Sequence, residues 1–370
     1  MDANAPGQDI FVTSDKRRIN LSADWFNAKA WPMNIGSYQE FVLRVIVPQV
    51  SDKSAHQKEV YPKGFGWFLK KLVTPEVIYH MLRECGADLG GVKRMLDIGT
   101  GPAIIPRAFK LLGVCDEAYG VDIQDRSGDL PDPQFMQLLN FMQNNLLEDS
   151  HGSLTTELLK RGDSLTAWTT PYGLLINADL SKNFSLDDYR TCHFLDYELT
   201  GEPFDLIVTY TGMCYFDMDD YFEKIVNMLS PGGIHYVMDT NYYHVYGESL
   251  ELPMDAPWLH ARVTKEDLFR YYQEKRPKLF PYIEQGFFTK NTHYTVRDVI
   301  HCARQHGLKL LGYRRSYRES ELETFQYSSG DNLKFAAKTV LEDCRVLNPQ
   351  VELVDFLTQN WTAVFQKDGA

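Results

Sequence analysis

The sequence predicts an α/β fold built on a seven-stranded, mostly parallel sheet with helices on both faces. Three observations carry that expectation. From Val92 onward, short apolar runs alternate with amphipathic helical stretches, the pattern of consecutive strand–helix units. The first run, VKRMLDIG (92–99), ends in Asp-Ile-Gly, as a strand buried on both faces does where it meets its turn. Strands that alternate with helices pair in parallel, and right-handed crossovers then place helices on both faces of the sheet.

The elements follow in order. After VKRMLDIG a helical run reaches Leu112, with Gly113 as its cap. EAYGVDI (117–123) reads as the second strand, TCHFLDYEL (191–199) as the third, FDLIVTYT (204–211) as the fourth and GIHYVMDT (233–240) as the fifth. An amphipathic helix, DDYFEKIVNML (219–229), separates the fourth and fifth and closes at Ser-Pro-Gly-Gly. A helix in HYTVRDVIHCARQHG (293–307) precedes two last strands, KLLGYRRSY (309–317) and NWTAVFQK (360–367). Residues 1–20 read as a polar tail, and 22–84 as a helical extension with a break expected before Pro75. The chain thus divides into an N-terminal tail and helical extension (1–90) and an α/β domain (91–370). That domain carries insertions at about 125–190 and 245–295, too long for plain loops, which are expected to be helical and to cover the ligand site, with peripheral decoration or a dimer surface as the alternative.

Composition narrows the function. With 370 residues, 44% hydrophobic and 24% charged, the chain can bury a full core, which excludes disorder as its main state. A net charge of −12 argues against nucleic acid as the main partner, since phosphate binding needs a basic surface. No stretch approaches the roughly 18 apolar residues of a membrane span. The opening MDANAPGQDIFVTSDKRR has no charged-then-apolar signal pattern, so a cytoplasmic protein is expected. Six cysteines are scattered at 85, 115, 192, 214, 302 and 344; no Cys/His spacing or HExxH points to a metal or a disulfide framework.

Four segments bear chemistry. In LDIGTGPAIIP (96–106), Gly99 and Gly101 let main chain approach a ligand, and Pro102 suits an early helical position. Asp122, 25 residues after Asp97, ends the second strand, where a carboxylate can accept both hydroxyls of a ribose. Asp196, followed by Tyr197, is placed to accept from an adenine amino group, with Asp179 as a competing acid. Finally, the fifth strand delivers Asp239 to the carboxyl edge of the sheet, followed by Asn241, Tyr242, Tyr243 and His244; one acid with several aromatics suits a flat or cationic small molecule. Tyr210 and Tyr215, after the fourth strand, are expected to face the same cavity. Cys214 between them has no visible base partner and reads as inert.

Taken in order, these four segments resemble the class I S-adenosylmethionine-dependent methyltransferases over roughly 92–315, with the last strand near 361–366. The resemblance implies a Rossmann-like sheet. It implies S-adenosylmethionine as cofactor, with S-adenosylhomocysteine as product, held by Asp97, Gly99, Thr100, Gly101, Pro102, Asp122, Ile123, Asp196, Tyr197 and Tyr210. DIGTGP together with VMDTNYY after LSPGG looks most like the small-amine N-methyltransferases of the nicotinamide, phenylethanolamine and indolethylamine type. That narrower likeness implies a small-molecule substrate, an amine favoured, with Asp239, Tyr242, His244 and Tyr215 around the reaction. The chain departs from that group at Ile105, where its glycine turn continues with Tyr, and at Tyr210, where it has Thr. Other readings are an O- or C-methyltransferase of a small metabolite, a methyltransferase of a protein residue, a nicotinamide-dependent oxidoreductase, against which the missing third glycine argues, and a non-catalytic binding protein.

Overall fold

The computed structural model describes residues 10–21, 65–148, 174–175, 178–244, 258–278, 280–286, 290–316 and 339–369. Most of the helical extension before Phe65, residues 149–173 of the first insertion and 245–257 of the second lie outside the described residues.

The predicted sheet is present and has seven strands: β3 (Arg94–Ile98), β4 (Glu117–Asp122), β5 (Asp188–Thr191), β6 (Phe204–Tyr210), β7 (Leu229–Thr240), β8 (Leu308–Ser316) and β9 (Asn360–Lys367). Their order across the sheet is β5-β4-β3-β6-β7-β9-β8. Neighbours from β5 to β7 are parallel, and β9 runs antiparallel to both β7 and β8. This is the Rossmann-like architecture that the resemblance implies.

Every residue of β3 is buried, because helices cover both faces. On one face, Met95, Val208 and Tyr236 meet Ile78 and Leu82 of α1 (Phe65–Glu84) and Phe109 of α2 (Ile104–Leu111). On the other, Leu96, Ile207 and Val237 meet Tyr221 and Ile225 of a helix over Met218–Met228 and Val299 and Ala303 of one over Val296–Gln305. The described part of the first insertion includes α3 (Asp132–Glu148), whose Phe135 and Leu139 pack on Ile104 and Ala108 of α2. In chain order the helix over Met218–Met228 is α4. It is followed by α5 (Leu259–Arg262), α6 (Lys265–Lys275), α7 (Phe280–Gly286), α8 (Val296–Gln305), α9 (Leu341–Leu347) and α10 (Leu353–Leu357).

Four expectations need correction. The third strand is Asp188–Thr191, just before the expected 191–199; Phe194–Asp196 is a 3-10 turn, whose apolar content reflects Phe194 packing on Phe216 rather than a strand. The break before Pro75 is absent: α1 runs through it, with Leu72 and Ile78 anchored in separate clusters on either side of the one lost hydrogen bond. The fifth strand begins four residues early, at Leu229, so Ser-Pro-Gly-Gly lies within it beside a register irregularity against β6. The polar tail contains an antiparallel hairpin, β1 (Ile10–Val12) and β2 (Arg18–Asn20). Phe11 and Ile19 of that hairpin join Trp258, Tyr271 and Tyr272 of the second insertion and Leu341 and Phe356 near the end of the described chain in one apolar cluster. Ser14 completes the docking, its N–H and hydroxyl both donating to the Asp267 carboxylate.

Candidate active site

The site is built where β3 meets α2. The chain leaves Ile98 through Gly99 and Gly101, both with left-handed backbone (φ 70° and 52°). Ala103 is left-handed as well, a conformation a Cβ makes costly. The turn is fastened to β4 at three points. Gly99 and Thr100 N–H both donate to the Val121 carbonyl, at 2.9 and 3.1 Å, and Gly101 N–H donates to Asp122 Oδ2 at 2.8 Å. Asp122 Oδ1 accepts from Gln124 N–H at 3.0 Å. Each carboxylate oxygen keeps a lone pair for a further donor. A Cβ placed on Gly99 would meet nothing within 4 Å, so this side of the turn is open.

Thr100 folds down onto Gly120, the register partner of Asp97. Asp97 and Thr100 therefore flank the same point of the sheet. Both Asp97 oxygens and Thr100 Oγ1 are buried and make no hydrogen bond of good geometry, although the Thr100 hydroxyl lies near enough to Asp97 to act on it. Burial pushes the Asp97 carboxyl up to about 7; the nearby Thr100 hydroxyl draws it back and Asp122 adds to the rise. Tyr210 lies on the same face of β6, two residues past the register partner of Asp97, and bonds to Thr74 of α1. Ile123 follows Asp122 and is 68% exposed, an open apolar surface beside the acid.

Two side chains absent from the sequence reading complete the rim. The Tyr189 hydroxyl lies 3.1 Å from the Gly101 and Gln124 carbonyls and accepts from Arg126 N–H at 3.2 Å. Arg126 pairs with Asp129 at 2.8 Å and reaches to 3.7 Å from where a Gly101 Cβ would stand. Placing the third strand correctly would have found Tyr189, which sits beside Gly120 in β5.

Of the other expected residues, Tyr197 and Asp179 fall elsewhere. Tyr197 is buried against Phe204 at the start of β6, under the Arg190 guanidinium, at the end of the sheet away from the glycine turn. Asp196 is exposed on the 3-10 turn, while Cys192 and His193 directly follow β5. Asp179 closes a local turn through Ser181.

Asp239 is at the carboxyl edge but is 1% exposed and already committed. Its Oδ2 accepts from Cys214 N–H at 2.9 Å and its Oδ1 from Thr240 N–H at 2.8 Å, clamping the 3-10 turn Met213–Tyr215 to the end of β7. Burial raises its carboxyl to about 6 against those bonds. These two bonds and its burial give Asp239 a structural role, while each of its oxygens, like those of Asp122, still carries a lone pair.

Tyr242 and His244 are likewise core residues. Tyr242 donates its hydroxyl to the His260 carbonyl at 2.6 Å, its ring packs edge-on to His260 and His293, and His244 is 1% exposed. Tyr215, at 52% exposure, stays at the edge. The second insertion reaches this edge too: Lys290 and Asn291 N–H donate to the Cys214 carbonyl, and Asn291 Nδ2 donates to the Met213 carbonyl. Among the described residues no helix is long and apolar enough to cross a membrane.

No protein-family model matches the chain. No curated protein matches it either. Among solved structures, it is similar to the N-methyltransferase NodS from Bradyrhizobium japonicum, at 14% identity and TM-score 0.35, over 81% of this chain and 97% of that one. It is similar to phosphoethanolamine N-methyltransferase 2 from Haemonchus contortus, solved with S-adenosyl-L-methionine, at 14% identity and TM-score 0.38, over 90% of this chain and 60% of that one. It is also similar to the 4+2 cyclase SpnF, at 10% identity and TM-score 0.39, over 90% of this chain and 98% of that one.

Proposed function

We infer that this chain is an S-adenosylmethionine-dependent methyltransferase acting on a small molecule, with nitrogen the favoured acceptor. The observation that carries this reading is the glycine turn locked to Asp122 beside the unclaimed oxygens of Asp97 and Thr100. Unpartnered buried oxygens are costly unless a ligand supplies donors. A nucleoside with a cationic amino-acid tail supplies them.

When bound, the cofactor supplies an electrophilic methyl group on a sulfonium. Asp122 would accept the ribose hydroxyls with its free lone pairs. Asp97 and Thr100 would meet the methionyl ammonium, Ile123 would cover the adenine, and the bare main chain at Gly99 leaves room for the tail. Alignment of nucleophile and methyl is the main contribution asked of the protein and can supply roughly 7–11 kcal/mol of the barrier. Because Asp239 is buried, we assign the proton lost by an amine acceptor to water rather than to that carboxylate. Tyr210 and Tyr215 remain as side chains at the same edge.

Calorimetry with S-adenosylmethionine and with S-adenosylhomocysteine tests the cofactor half. Binding of both is expected, lost in Asp122→Ala while the melting transition stays cooperative. No heat with either ligand would remove the methyl donor and the reading with it. An absorbance change with a nicotinamide cofactor would favour an oxidoreductase instead.

A further inference from the structure

Among the described residues, one cluster of metal-ligating side chains lies outside the site just described: Asp219, Cys302 and His306, whose donor atoms all lie within 4.8 Å of one another. Asp219 sits in the first turn of α4, after the Asp217 cap. Cys302 and His306 are four residues apart at the end of α8, a spacing that puts both on one helix face. Asp219 Oδ1 lies 3.3 Å from Cys302 Sγ and 3.2 Å from His306 Nε2.

We propose that Asp219, Cys302 and His306 form a three-ligand site for zinc or a similar borderline transition metal, which staples α4 to α8. The donor set selects the ion: thiolate, imidazole and carboxylate together suit zinc, whereas calcium and magnesium take oxygen ligands. Zinc bonds are about 2.3 Å to sulfur, 2.0–2.1 Å to nitrogen and 2.0–2.2 Å to oxygen, so tetrahedral ligand atoms stand about 3.3–3.6 Å apart. The two distances to Asp219 are close to that spacing already. Burial differs in a useful way: Cys302 is 4% exposed, while the Asp219 side chain is 76% exposed, so an ion would keep one side toward water as a fourth ligand. Binding breaks the Cys302 S–H bond, the sulfur electron pair goes to the ion and the proton leaves to solvent. The spacing escaped the sequence reading because Asp219 lies 83 residues before Cys302.

The test uses the full chain without a histidine tag, titrated with cobalt(II) as the probe. One equivalent is expected to give the intense visible bands of a tetrahedral ion and a thiolate-to-cobalt charge-transfer band, both displaced by zinc. Cys302→Ser should abolish the charge-transfer band. Asp219→Asn and His306→Ala, which alter surface-accessible side chains, should each weaken binding at least tenfold while leaving the cofactor heats unchanged. Weak octahedral spectra without a thiolate band, or the same affinity in all three variants, would overturn the site. Neither result depends on the methyltransferase reading.

Discussion

Thr100 lies against Gly120 so closely that a Cβ on Gly120 would stand 2.7 Å from Thr100 Cγ2. A small residue in β4 therefore sets the position of a turn attached to β3. Gly120→Ala is expected to destabilise the fold by about 1–3 kcal/mol through overpacking and to weaken S-adenosylmethionine binding at least tenfold by displacing the turn. Thr100→Ala in the same chain should recover most of the stability. Melting curves and calorimetry on the single and double variants check both halves; additive losses would show that the two residues do not share this space.

The Asp97 carboxyl, raised to about 7 by burial, prefers its proton in the folded state. A raised carboxyl favours folding below the unfolded value near 4, and that contribution is lost as pH rises toward 7, by up to about 4 kcal/mol. Asp97→Asn should therefore melt higher than the parent at pH 8 and lose the advantage near pH 4. A cationic ligand reverses the preference, so binding near pH 6.5 should release a proton. Heats measured in buffers of different ionisation enthalpy report it; identical heats would separate Asp97 from the ligand.

Asp239 is expected to behave as a clamp. Asp239→Ala leaves the Cys214 and Thr240 N–H groups without their acceptor and should cost about 2 kcal/mol of stability. Asp239→Asn retains one carbonyl oxygen and should cost less. Because the turn it holds borders the site, turnover and cofactor affinity should fall together. A loss of turnover with stability and affinity intact would return Asp239 to the chemistry.

His235 is buried between the Ile207 carbonyl and the Tyr221 hydroxyl, at 3.1 and 2.9 Å, and burial depresses its pKa to about 4. The folded state excludes the proton that the unfolded chain takes up below 6.5. Stability is therefore lost as pH falls from 6.5 to 4, by about 3 kcal/mol. His260 and His293, also depressed to about 4, act in the same direction, whereas Asp97 and Asp239 oppose it. His235→Gln should lose less stability than the parent between pH 7.5 and 4.5. Denaturant melts at the two pH values give the difference directly.

The glycine turn, Asp122 and the strand pattern were legible because each is local: an apolar run, a bend and an acid lie within a few residues of one another. The third strand was not. DYRT is a half-buried edge strand held by pairing with β4 alone, and the apolar run after it belongs to a turn packed under Phe216. The aromatics after β7 misled for a related reason. A tyrosine that gives its hydroxyl to a main-chain carbonyl, as Tyr242 does to His260, has the same sequence signature as one that faces a ligand. The hairpin at 10–20 offers only three residues per strand, too few for alternation to register.

The apolar cluster that joins Phe11 and Ile19 to Trp258, Tyr272 and Phe356 constrains how the protein is made. Residues near the start of the described chain wait, during synthesis, for partners some 240 to 340 positions downstream. Until those emerge from the ribosome, the hairpin lacks these surfaces for its aromatic ring, so the cluster closes after the early strands of the sheet have had the opportunity to pair.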